Sequence, residues 1–174
     1  MWNCFRNLAH YAPLHLDPEA HYNITHQIAT WYKVVLDANQ YASALIKPRS
    51  NSARLIELVY EGRFGLLISA PIVEEVRRIL SYPKLQKLHG RTSDEIDLFL
   101  KKLEKIAIIT PAQLSVAAIK EDPTDDKYLA CALEGQADFI VSGDHHLTSL
   151  KQFRGIRILH PAAFLEAIAQ EAEI

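Results

Sequence analysis

The sequence predicts an α/β fold, a parallel β-sheet flanked by helices, behind an N-terminal extension. Two observations carry this expectation. Short apolar runs recur at 33–37, 65–69, 107–110, 138–142 and 157–159, and they are continuous rather than alternating. Such runs suit strands buried on both faces, as in parallel sheets. Between them lie segments with helical periodicity and recognisable caps, so strand and helix alternate along the chain. A length of 174 residues favours a single domain with room for a substantial core. Its 49% hydrophobic and 23% charged residues exclude disordered and fibrous classes.

The elements follow in order. The run at 33–37 is β-branched and ends on Asp37. Residues 40–46 can form a short helix that Pro48 stops. Ser50 or Asn51 can cap a second helix that runs to about residue 61 and ends at Gly62. After the strand at 65–69, Pro71 suits the first turn of a helix through Leu80, which Tyr82 and Pro83 then break. Thr92 or Ser93 caps a helix with Ile96, Phe99, Leu100 and Leu103 on one face. The strand at 107–110 precedes a helix over 125–135 with an acidic start and a glycine stop. Strands at 138–142 and 157–159 follow, and Pro161 opens the closing helix.

Residues 1–32 read as the extension, with one short helix near 17–30, and 33–174 as the domain. Four histidines, His10, His15, His21 and His26, fall in the extension, but their spacing fits neither helical pairing nor a zinc signature. The two cysteines, Cys4 and Cys131, form no CxxC pair and point to a reducing, cytoplasmic setting. No apolar run approaches the roughly 18–20 residues of a membrane span, and the N-terminus lacks a signal-peptide pattern. With 19 basic and 21 acidic residues the net charge is −2. A polyanionic partner would have to be attracted by a local patch or by bound cations.

The chemistry concentrates in acids. In an open parallel sheet, ligands bind beyond the carboxyl ends of the strands. Asp37 closes the first strand, and Asp144 follows the strand at 138–142. Asp122, Asp125 and Asp126 open the next-to-last long helix. The helix dipole favours acids there by about 0.3–1 kcal/mol, but one acid meets that need. Glu74 and Glu75 share a helix, and Glu75 lies nearer the buried side defined by Ile72, Val76 and Ile79. Clustered carboxylates repel one another unless a hard cation such as Mg²⁺ or Mn²⁺ joins them.

The segments VVLDAN at 34–39, ISAPIVEEV at 68–76, DPTDDKYLA at 122–130, ADFIVSGD at 137–144 and ILHP at 158–161 together resemble the PIN domain, the PilT N-terminus nuclease family. The closest likeness is to its bacterial branch of toxin components from toxin–antitoxin pairs. The resemblance implies Mg²⁺- or Mn²⁺-dependent hydrolysis of RNA by a metal-dependent endoribonuclease. It also implies a homodimer and a cognate antitoxin protein. Asp37, Glu75, Asp126 and Asp144 match the family's catalytic, metal-holding acids. Asn39, Asp125 and Ser142 match positions that support them. Ala38 departs from the family pattern, which often has Thr there. Lys47, Arg49 and Arg54 follow the first short helix and are candidates for RNA contact. The chief alternative is a catalytically weak or inactive RNA-binding scaffold on the same fold. A phosphotransfer domain is disfavoured because Asn39 stands where haloacid-dehalogenase-type phosphatases carry a second aspartate.

Overall fold

The computed structural model describes residues 31–119 and 122–171. Residues 1–30, which carry the expected helix near 17–30 and the four histidines, lie outside the described residues. Strand β1 (Lys33–Leu36) leads into α1 (Ala38–Ile46) and α2 (Asn51–Tyr60). Next come β2 (Gly65–Ser69), α3 (Ala70–Leu80), α4 (Pro83–His89), α5 (Ser93–Ile106) and β3 (Ile108–Thr110). A 3₁₀ turn (Pro123–Asp125) introduces α6 (Asp126–Gly135), and β4 (Phe139–Val141), α7 (His145–Ser149), β5 (Gln152–Phe153), β6 (Ile156–Leu159) and α8 (Pro161–Glu171) complete the chain.

The sheet order is β3-β2-β1-β4-β6-β5, with every pair parallel except the antiparallel β5–β6 edge. From β1 the chain first builds outward through β2 and β3, then returns to place β4 on the other side. The carboxyl ends of β1 and β4 therefore stand together at the point where the topology reverses, the usual place for a site in such sheets. Their register pairs Leu36 with Val141, and the Asp37 amide donates to the Val141 carbonyl at 3.1 Å.

The sequence explains the layers. Val34, Val35, Leu36, Leu67, Ile68, Ile140 and Val141 are fully enclosed, as continuous apolar strands require. Helix α6 packs across β1, β2, β3 and β4, and α1 packs on α2 and α3. Phe164 of α8 meets Phe64 and Phe139 edge-on, each at 5.3 Å between centroids. Ser50 caps α2, and Thr92 forms a reciprocal capping box with Glu95 at the start of α5.

Four details differ from the sequence reading. Pro83 breaks α3 but also opens α4, because proline fits a first helical turn. Gly90, at φ 66°, then ends α4 in the left-handed conformation. His145 and His146 begin α7, a short helix capped by Asp144 that the sequence reading did not include. The sheet is parallel as expected except for the antiparallel edge pair β5–β6, which the sequence did not show because β5 is only two residues long. Finally, β3 is an edge strand, so Ile108 and Ile109 are exposed where burial on both faces was expected.

Leu36→Ala empties a fully enclosed position directly before Asp37. It should cost about 2–5 kcal/mol, measured as a lower midpoint in urea denaturation.

Candidate active site

Asp37 leaves β1 and caps α1. Its Oδ1 accepts from the Asn39 amide at 2.8 Å and the Gln40 amide at 3.2 Å, and its Oδ2 accepts from the Gly143 amide at 3.1 Å. The Gln40 side chain reaches both oxygens at 3.5 Å and is itself held by the Ser52 hydroxyl at 2.7 Å. Burial raises the Asp37 pKa; hydrogen bonds from Ser142, Gln40, Gly143 and Asn39 oppose that rise. Asn39 thus reaches Asp37 through its main chain, and the side chain at work is that of Gln40, which the sequence reading passed over. Its signal was position alone: residue i+3 from a cap faces back toward it.

Ser142 follows β4, and its hydroxyl accepts from the Asp144 amide at 2.9 Å. Asp144 Oδ1 accepts from the His146 amide at 2.7 Å, which fixes the carboxylate at the start of α7.

Glu75 lies on α3 with its side chain 14% exposed, whereas that of Glu74 is 74% exposed. Glu75 Oε2 accepts from the Tyr128 hydroxyl at 2.6 Å and pairs with Lys127 Nζ at 2.8 Å; Arg78 approaches Oε1 at 3.4 Å. The Tyr128 oxygen in turn accepts from the buried Ala38 amide at 3.0 Å. One hydroxyl of α6 therefore joins the first residue of α1, next to Asp37, to Glu75 on α3. Burial, and then the bond to Glu75, push the Tyr128 phenol well above its ordinary range, so it stays a donor.

The structure separates the adjacent acids Asp125 and Asp126. Asp126 is buried, and its Oδ1 accepts from the Ala118 and Ile119 amides at 3.1 and 3.0 Å. It clamps the preceding segment onto α6. Asp125 instead feels the other acids: burial first, then Asp122, Asp144 and Glu75 lift its pKa to about 6, with Lys127 opposing. Asp37, Ser142 and Asp144 are thus tied together around the ends of β1 and β4, Glu75 is tied to them through Tyr128, and Asp125 senses Asp144 and Glu75.

A cleft of about 400 Å³ opens beside Asp144 and Gly143. Asn39, Gln40, Ser43, Lys47, His160 and the first turn of α2 line it. Among the RNA-contact candidates, Lys47 borders this cleft and Arg49 is exposed. Arg54 is committed to Glu57 and Glu61 at 3.2 and 3.0 Å.

Among the described residues, no three His, Cys, Asp or Glu side chains stand close enough to form a ready metal cage. The donor chemistry nonetheless fits a hard divalent cation. Every acid here presents oxygen, and the repulsion from neighbouring acids that, after burial, lifts the Asp125 pKa is what such a cation relieves. Cys131 is buried and its thiol is pushed up to about 11, so it is no nucleophile for this site.

The PIN domain family model matches residues 33–146. The chain is also 29% identical over 119 residues to an uncharacterized protein of Methanocaldococcus jannaschii, covering 68% of this chain and 75% of that protein.

Two outcomes follow from this geometry. Tyr128→Phe leaves the buried Ala38 amide without a partner and takes from Glu75 Oε2 one of its two donors, Lys127 remaining. It should cost about 1–3 kcal/mol in chemical denaturation. Because folded Asp125 holds its proton more tightly than an unfolded aspartate, its contribution to stability falls as pH rises from about 3.8 through about 6. Asp125→Asn should flatten the decline in melting temperature across that window.

Proposed function

The chain belongs to the PIN domain family of nuclease domains, and on that premise we propose that it is a Mg²⁺- or Mn²⁺-dependent endoribonuclease that hydrolyses RNA phosphodiester bonds. The observation that carries this reading is the convergence of Asp37 and Asp144 at the ends of β1 and β4, with Glu75 joined through Tyr128 to Ala38, next to Asp37. Asp37, Glu75 and Asp144 hold the cation, Asp126 offers the oxygen that the Ala118 and Ile119 amides leave free, and Asp125 contributes its charge beside them. Bound there, a divalent cation supplies Lewis acidity, activates water and neutralises charge on the scissile phosphate.

The protein's own residues do the rest. Asp37 is held in one orientation by amides from both sides of the site. Ser142 bonds to Asp37 and to the Asp144 amide, and so keeps the two strand-end acids in register. Tyr128 aims Glu75. The RNA strand lies along the cleft beside Asp144, where Lys47 and the first-turn amides of α2 attract its phosphates. With a net charge of −2, these local contacts must carry the attraction, and binding weakens as salt rises.

The motifs at 34–39, 68–76, 122–130 and 137–144 further support a toxin role, as a cytoplasmic homodimer restrained by an antitoxin protein. A short neighbouring reading frame with a DNA-binding N-terminus would support that role. Among the described residues no helix is long and apolar enough to cross a membrane.

The activity is tested by Asp37→Asn and Asp144→Asn in a Mn²⁺-dependent cleavage assay on mixed single-stranded RNA. Each should lose at least about a hundredfold in rate. Full activity in both variants would remove the proposed site. RNA binding by the wild-type protein without cleavage would instead favour a scaffold role.

A further inference from the structure

Lys127 is badly placed for a lysine with only a structural role. It is the second residue of α6, where the helix dipole disfavours a positive charge. Its side chain is nevertheless only 18% exposed. The ammonium bonds to the Thr124 carbonyl, sits 5.0 Å from the Tyr128 ring centroid, and pairs with Glu75 Oε2 at 2.8 Å. Asp125 and Asp122 also feel its charge. It is a cation set among the acids of the site.

Glu75 Oε2 has two acceptor positions, and both are in use: Tyr128 takes one at 2.6 Å and Lys127 the other at 2.8 Å. The remaining partner, Arg78, is 64% exposed and 3.4 Å from Oε1, a contact of little strength. A cation that takes up Glu75 through Oε2 must therefore displace Lys127 or break the tyrosine bond. The tyrosine bond is anchored at its far end by the Ala38 amide, whereas the lysine stem is flexible.

We propose that Lys127 is a resident counter-cation of the acidic site: its ammonium holds Glu75 until a divalent cation displaces it, and so sets the affinity with which that cation loads. This rests on the metal-dependent reading above and adds a competitor to it. Lys127 is a positioning residue, since it acts through Glu75. It keeps the acids in charge balance while the site is empty, at the cost of weaker loading.

The test is Mn²⁺ binding to the full-length protein, followed by electron paramagnetic resonance of free Mn²⁺, with no substrate present. Lys127→Met should bind Mn²⁺ about three- to tenfold more tightly than wild type, the range expected for losing one partly screened competing charge. Lys127→Arg keeps the charge and should stay near wild type. Lys127→Gln keeps a donor for Glu75 without the charge; it should also bind more tightly, and it serves if the methionine variant does not fold. Unchanged or weaker binding in the neutral variants, with wild type still binding, would overturn the counter-cation role alone. It would mark the pair as purely structural. Absence of Mn²⁺ binding in wild type and neutral variants alike would overturn the metal-dependent reading, and this role with it.

Discussion

A carboxylate enclosed to 2% exposure, as Asp37 is, survives only if its oxygens are met by donors. Those donors come from two distant parts of the chain. The Asn39 and Gln40 amides are the first turn of α1, and the Gly143 amide belongs to the loop after β4. Asp37 therefore works as a three-way joint between a strand end, a helix start and a second strand end. The β1–β4 register puts the joint there, and the joint in turn sets where Ser142 and Asp144 stand. Without it, the two strand-end acids would have no fixed relation.

The same joint reaches Glu75 by another route. The residue after Asp37 is Ala38, which has no hydroxyl. Its amide instead finds the hydroxyl of Tyr128, and that hydroxyl continues to Glu75. Helices α1, α6 and α3 are thereby held by one relay. Buried polar chains of this kind are unforgiving, since a missing member leaves its neighbours unsatisfied in a poorly solvated place. The acids themselves pull the other way. Asp125 carries repulsion from Asp122, Asp144 and Glu75, and Lys127 offsets part of it.

How much of this was legible in the sequence depended on whether the signal was local. The long apolar strands and the helices with Ser50, Thr92 and Pro71 at their starts could be read because pattern and cap coincide in a few residues. Strand β5 and helices α4 and α7 could not, since elements of two to seven residues carry too little pattern. The exposure of Ile108 and Ile109 depends on β3 lying at the sheet edge, which local sequence does not encode. At the site, strand-end position pointed to Asp37 and Asp144, and helical face separated Glu75 from Glu74. The division of labour between Asp125 and Asp126 was not legible, because it turns on a loop folding back to bond Asp126. Tyr128 and Lys127 were missed for a similar reason: each looks ordinary on a helix, and their partner is more than fifty residues away.

The central claim is that the acids at the ends of β1 and β4, with Glu75, make one cation site. Paramagnetic broadening of backbone amide resonances during a Mn²⁺ titration tests it most directly. Broadening should begin at Ala38, Asn39, Gly143, Asp144 and Tyr128, and the pattern should collapse in Asp37→Asn. Broadening centred elsewhere on the domain, or unchanged by that substitution, would contradict it.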